Sequence, residues 1–148
     1  MRVTDKDFGL NKIMKEFDKL GSKVVNVGFM KGDMASDGKT TVAEVAACNE
    51  YGTDKIPSRP FVRNSFDATN GWTSDTEKIV GMVVDGVCNA DKACNLLGNK
   101  AEGDIKKSIT DGDYEKNAPS TVKHKGSNKP LIDTGRMRNS VKFEVKER

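Results

Sequence analysis

Two stretches of strict apolar alternation and one apolar stripe at helical spacing predict an α+β fold for this 148-residue chain, with helices packed on a small, mainly antiparallel sheet. Val25, Val27 and Phe29 alternate with other residues near the start, and Val141, Phe143 and Val145 alternate with Lys142, Glu144 and Lys146 near the end. Strand side chains point to opposite faces in turn, so each set shares one face. Leu10, Ile13, Met14, Phe17 and Leu20 recur at three- and four-residue steps, which is the stripe of an amphipathic helix. Pairing of the two strands would bring distant parts of the chain together. Residues 1–148 read as one domain, with flexible loops at 31–40 and 111–129.

Residues 4–20 form the first helix, capped by Thr4 and stopped by Gly21, and residues 22–30 form the first strand. A glycine-bearing polar loop, KGDMASDGK, leads to Thr41 and Glu44, a capping-box pair that opens a short helix ending at Gly52. Pro57 and Pro60 keep residues 53–60 extended, because each proline disfavours the helical region for its predecessor. Residues 61–67 form one or two helical turns, and Ser74 with Glu77 makes a second capping-box pattern before Ile79, Met82, Val83 and Val87. A long helix over 91–109 carries Leu97, Ala101, Ile105 and Ile109 at four-residue steps, interrupted at Gly98 and Gly103. Residues 111–129 hold almost no apolar side chains and read as loop, and Asp133-Thr134-Gly135 caps a short helical turn before the last strand.

Composition narrows the function classes. A net charge of +3, with both signs interspersed, is small for a dedicated nucleic-acid binder. Cys48, Cys88 and Cys94 are odd in number and lack CxxC spacing, which points to reduced thiols in a cytosolic setting. No run approaches the ~20 apolar residues of a membrane span, and residues 1–20 show no signal-peptide pattern.

Chemical motifs are few. Gly38-Lys39-Thr40 imitates the end of a phosphate-binding loop, but Asp33 stands where that pattern needs its first glycine and Gly32 falls one step early. Residues 79–85 (IVGMVVD) imitate a magnesium-binding strand and fit a buried helix equally well. His124 is the sole histidine and lies in the polar loop, so neither a metal site nor a nucleophile–base pair is expected. The sequence therefore predicts a non-enzyme with no catalytic, metal or cofactor residues.

Two segments carry a resemblance. Residues 46–63 read AACNEYGTDKIPSRPFVR and residues 125–145 read KGSNKPLIDTGRMRNSVKFEV. A helix ending in N-E-Y-G-T, followed by I-P-x-R-P-F and later by P-L-I-D-T-G-x-M-x-x-S before a final strand, resembles the tail-completion and neck proteins of tailed bacteriophages. That family is also described as virion-morphogenesis or minor-tail proteins. The resemblance implies a virion protein assembled in the host cytoplasm that forms a ring, a homohexamer, at the head–tail junction. Its partners would be further copies of itself, the head–tail connector or adaptor, and the tail terminator or tail tube protein, with no membrane involved.

The interface candidates are Glu50, Tyr51, Gly52, Thr53, Ile56, Pro57, Arg59, Pro60, Phe61 and Arg63, together with Leu131, Asp133, Thr134 and Gly135. Gly52 permits a sharp reversal and the prolines stiffen the arm over residues 53–60, so it would lose little entropy on docking. Two readings remain open. In one, Phe61 anchors in a neighbouring subunit's pocket while Arg59 forks to a carboxylate such as Glu50 or Asp54, and Arg59→Ala or Phe61→Ala leaves a folded monomer that fails to join heads to tails. In the other, the arm folds back, with Phe61 in the core and Arg59 on local carbonyls. A different class of reading makes Lys123, His124, Lys125, Lys129, Arg136 and Arg138 a basic DNA-facing module of the packaging or neck channel, against a plain solvated loop.

Overall fold

The computed structural model describes residues 9–148, so Thr4 and its proposed cap lie outside the described residues. Helix α1 (Leu10–Gly21) leads into strand β1 (Lys23–Phe29), then α2 (Val42–Tyr51), α3 (Phe61–Ala68) and α4 (Thr73–Val84). The long α5 (Ala90–Asp111), the short α6 (Pro119–Lys125) and α7 (Arg136–Asn139), and strand β2 (Val141–Glu147) complete the fold, which is α+β. Among the described residues the sheet consists of β1 and β2 alone, antiparallel, with Val25 opposite Val145, Val27 opposite Phe143 and Phe29 opposite Val141. The register places both predicted apolar faces on the same side of the sheet.

Helix α5 organises the packing. Its buried residues are Ala90, Ala93, Cys94, Gly98, Ala101, Ile105 and Ile109, small in the first half and larger in the second. The small half admits the sheet closely: a Cβ added at Gly98 would overlap the Phe143 ring of β2. Gly98 is therefore a contact point, whereas Gly103 is exposed with open space around its Cβ position. Gly98→Ala is expected to lower the melting temperature, because crowding a filled core typically costs ~1–3 kcal/mol. Gly103→Ala should raise it, since alanine in a helix interior gains ~1 kcal/mol over glycine. Paired thermal melts check both signs.

The larger half of α5 meets the main core, where Ile105 and Ile109 are buried with Val42, Ala46, Phe61, Leu131, Met137 and Val141. A smaller cluster of Val83, Cys88 and Ala93 sits under Leu20, Ile79 and Met82. Polar contacts close the far end. Lys23 Nζ lies 3.0 Å from Asp91 and 2.6 Å from Glu147, joining β1, α5 and β2, and its pKa is raised chiefly by the Glu147 hydrogen bond and then by that to Asp91. The Glu16 carboxylate of α1 accepts the Ala90 N–H at 2.8 Å, satisfying one of the free amides at the start of α5.

Two expectations need correction. Residues 111–129 are not wholly loop: α6 occupies 119–125, with Pro119 in its first turn, Gly126 in the left-handed region at its end and basic residues in its last turn. Loop 31–40 is a loop with an internal bond, Ala35 N donating to Thr40 O. The capping box at Ser74 and Glu77 does not form, because α4 starts at Thr73 after Trp72, whose positive φ of 60° sets the entry. Trp72 is held there by an edge contact to Phe66, with ring centroids 5.1 Å apart, and by a 2.9 Å bond from its indole N–H to Asp104. By contrast, the Thr41–Glu44 box forms in both directions.

Candidate functional site

The two motif segments fold onto each other. Helix α2 ends at Tyr51, and Gly52 turns the chain with φ 76° and ψ 171°, a conformation that is essentially glycine-only. A Cβ there would also meet Ser58 N at 2.8 Å. Residues 53–56 close a tight turn through reciprocal backbone bonds between Thr53 and Ile56. The chain then runs back along α2, with Arg59 N donating to Asn49 O at 2.6 Å and Ser58 Oγ donating to Glu50 O at 2.8 Å. The arm is folded on its own domain.

Phe61 is fully buried, packed edge-on against Phe29 with ring centroids 6.1 Å apart, so it is a core residue and not an anchor in a neighbour's pocket. Arg59, only 5% exposed, does not reach Glu50 or Asp54. Its guanidinium donates to Glu115 O at 2.9 Å, Lys116 O at 3.3 Å, Asn49 Oδ1 at 3.2 Å and Asn117 Oδ1 at 3.3 Å, which ties the segment before α6 to α2. Burial lowers its pKa, with the Glu115 charge opposing, and the group remains a cation. Glu50 is buried for a different purpose: it accepts the Val62 and Arg63 N–H groups at 2.8 and 3.1 Å, satisfying the start of α3, where Pro60 offers no side-chain cap.

The second motif supplies the opposite wall. Leu131 is buried at a φ of 60°, unusual for a branched side chain, and aims into the main core. Gly135, at φ 76°, precedes α7, and the Thr134 hydroxyl accepts the Arg136 N–H at a long 3.4 Å. The Arg136 guanidinium donates to Met34 O at 2.9 Å and Ala35 O at 3.3 Å, latching the 33–41 loop to α7. That loop is a small hairpin, with Ala35 N bonded to Thr40 O and a bridge between Met34 and Thr41. Asp37 accepts the Lys39 and Thr40 N–H groups at 3.0 Å each and the Thr40 hydroxyl at 2.6 Å. The amides that a phosphate would need in the Gly38-Lys39-Thr40 decoy are therefore taken by a carboxylate.

These bonds, the Thr40 hydroxyl first, hold the Asp37 pKa down to about 2 from an ordinary 3.8. A depressed folded-state pKa means that the stabilisation is present above 3.8 and lost as pH falls through about 2. Asp37→Ala is expected to speed hydrogen exchange at the Lys39 and Thr40 amides at neutral pH, as read by NMR, while leaving the global melting temperature within a degree or two.

Between these walls lies a cleft of about 430 Å³. Its apolar lining comes from Val42, Val45, Ile56, Pro57, Leu131 and Met137. Its charged lining comes from Lys55, Arg59, Lys125, Arg136, Asp37 and Asp133. Burial lowers the Lys125 pKa, Arg59 adds to that, and Asp133 opposes it. Of the sequence candidates, Ile56, Pro57, Arg59, Leu131, Asp133, Thr134, Gly135, Lys125 and Arg136 border this one space. Glu50 and Phe61 lie beneath it in the interior. Tyr51, 73% exposed, and Thr53 and Arg63, also exposed, do not line it, and Gly52 and Pro60 shape the turn around it.

The basic set does not form one face. Arg138 Nε donates to Thr110 on α5 at 2.9 Å, while Arg136 turns to the 33–41 loop and Lys125 to the cleft. Residues two apart on a helix point away from each other, which explains the split at α7. Lys123, His124 and Lys129 remain exposed outside the cleft. Sequence reasoning missed Val42, Val45 and Asn49, the α2 face of the cleft, although their helical spacing behind the capping box was visible. It also missed Asn117 and Thr121, because α6 was read as loop.

Among the described residues, no group of three or more His, Cys, Asp or Glu side chains could hold a metal, and no helix is long and apolar enough to cross a membrane. Comparison with family models, curated proteins and solved structures returned no match to this chain.

Proposed function

We propose that the chain is a structural subunit of the head–tail junction of a tailed bacteriophage, and that it joins its neighbours through the cleft rather than through a projecting arm. The observation that carries this reading is convergence. The two segments that resemble neck and tail-completion proteins are far apart in sequence, yet both line a single preformed cleft. Arg59, Glu50 and Gly52 serve to hold that cleft in shape, which is the preorganisation expected of a docking surface.

A ring with head-to-tail contacts needs two different surfaces on each subunit. One of them, separate from the cleft, is supplied by α1 and the α4–α5 connection, where Leu10, Met14 and Val87 are exposed and Ile13 and Val87 line a shallow depression of about 170 Å³. The ring would be a homohexamer, seated between the connector or adaptor and the tail terminator or tube.

The test fills the cleft without touching its supports. Thr121 is exposed on α6 and faces the cleft. Thr121→Trp is expected to leave the melting temperature unchanged and to yield lysates of separate heads and tails, counted by electron microscopy, with infectious titre down at least a hundredfold. Full virion yield from this variant would sink the reading.

A further inference from the structure

We infer that the cleft receives an acidic peptide segment of a partner protein, with an apolar side chain seated between α2 and the 131–137 turn and flanking carboxylates against Lys55 and Lys125. The inference rests on the junction reading and names the kind of chain that docks there.

Charge and shape together select this occupant. The lining holds four cations, Lys55, Arg59, Lys125 and Arg136, against two carboxylates, Asp37 and Asp133, an excess of 4 − 2 = +2. Both carboxylates stand beside an apolar lining, and Asp37 is already consumed by its own loop. Arg59 and Arg136 are likewise committed to backbone carbonyls. The ammonium groups of Lys55 and Lys125 make no hydrogen bond or salt bridge with the described residues, so they are the donors left for a ligand.

A space of this size with apolar walls and a few convergent charges suits a side chain with its flanking backbone. Duplex DNA would meet the cations but leave the partly exposed apolar lining, Val45, Ile56 and Pro57, uncovered. A second copy's α1 could offer Leu10 and Met14, but it brings Lys12, Lys15 and Lys19 against Glu16 and Asp18. That surplus of positive charge would meet a positive cleft at a cost.

A partner carboxylate beside Lys125 would oppose, by charge attraction, the desolvation that depresses its pKa, as Asp133 already does in part.

The probe is a fluorescein-labelled dodecapeptide that alternates Glu or Asp with Leu or Phe. Two control peptides replace its acids with Lys or its apolar residues with Ala. Fluorescence anisotropy with the full chain is expected to show saturable binding of the acidic apolar peptide and at least tenfold weaker binding of both controls. Lys125→Glu and the exposed-site variant Lys55→Glu should each weaken the acidic peptide at least tenfold and strengthen the lysine peptide. Thr121→Trp should abolish both.

Equal binding of the three peptides, indifference to Thr121→Trp, or displacement of the acidic peptide by duplex DNA or by unlabelled chain at lower concentration than by unlabelled peptide would overturn the inference. The two readings fail separately. If the peptide does not bind while Thr121→Trp lysates still hold unjoined heads and tails, the acidic segment is wrong and the junction stands. If the peptide binds as expected while those lysates make normal virions, the junction reading falls.

Discussion

Phe61→Ala is expected to cost ~3–5 kcal/mol of folding stability, the range for truncating a buried aromatic side chain. Phe61 is fully buried in the main core among Ile105, Ile109, Val141 and Leu131, with its ring edge-on to Phe29 of β1. It therefore joins α3 to the sheet and to α5 in one contact set. A domain of this size has roughly 5–15 kcal/mol in total, so the variant should unfold at markedly lower urea and give a poor yield of soluble protein. The arm-as-interface reading instead expected a folded monomer with an assembly defect alone. Circular dichroism with urea titration separates the outcomes: a wild-type midpoint for Phe61→Ala would place its ring outside the core.

Arg59→Ala should cost ~2–4 kcal/mol, for a different reason. Its removal leaves the Glu115 and Lys116 carbonyls and the Asn49 and Asn117 side-chain oxygens without their donor. Hydrogen bonds from a charged donor contribute ~1.5–3 kcal/mol each, though they do not add when they act as one fork. Because those bonds anchor the segment that leads into α6, the loss should concentrate there. Amide exchange should accelerate across 113–125 before the rest of the fold opens. Arg59→Lys keeps the charge but not the fork and should recover less than half of the lost stability. Exchange rates in 113–125 equal to wild type for Arg59→Ala would refute this role.

How far these features were legible depended on the range of the physics. The strands showed because alternation is a local pattern, and their pairing followed from two apolar faces that each needed a cover. The Thr41–Glu44 box was readable because both halves of the cap lie within four residues. The Ser74–Glu77 pattern was equally good locally and failed, because the Trp72 contacts to Phe66 and Asp104 set the start of α4 from outside it.

Gly98 looked like an interruption and is a contact point, which only the position of Phe143 reveals. Helix α6 carried its own punctuation in Pro119 and Gly126, but it has a single apolar residue, Val122, so periodicity was silent. For the cleft, the motifs pointed to one wall each and not to their meeting. Three of Arg59's four acceptors lie 56 to 58 positions away in a polar stretch, where no sequence pattern marks a backbone carbonyl or an amide oxygen as a partner.

The sheet has a consequence for how the protein comes into being. Lys23 and Glu147, which flank the paired strands, are separated by 124 positions, and closing a loop of that length costs about 4 kcal/mol by chain statistics before any strand bond forms. During synthesis β1 must wait, unpaired, until residues 141–147 have been made. The cleft waits as well, because its wall at 131–137 is made long after α2, and docking through it must follow the synthesis of that wall.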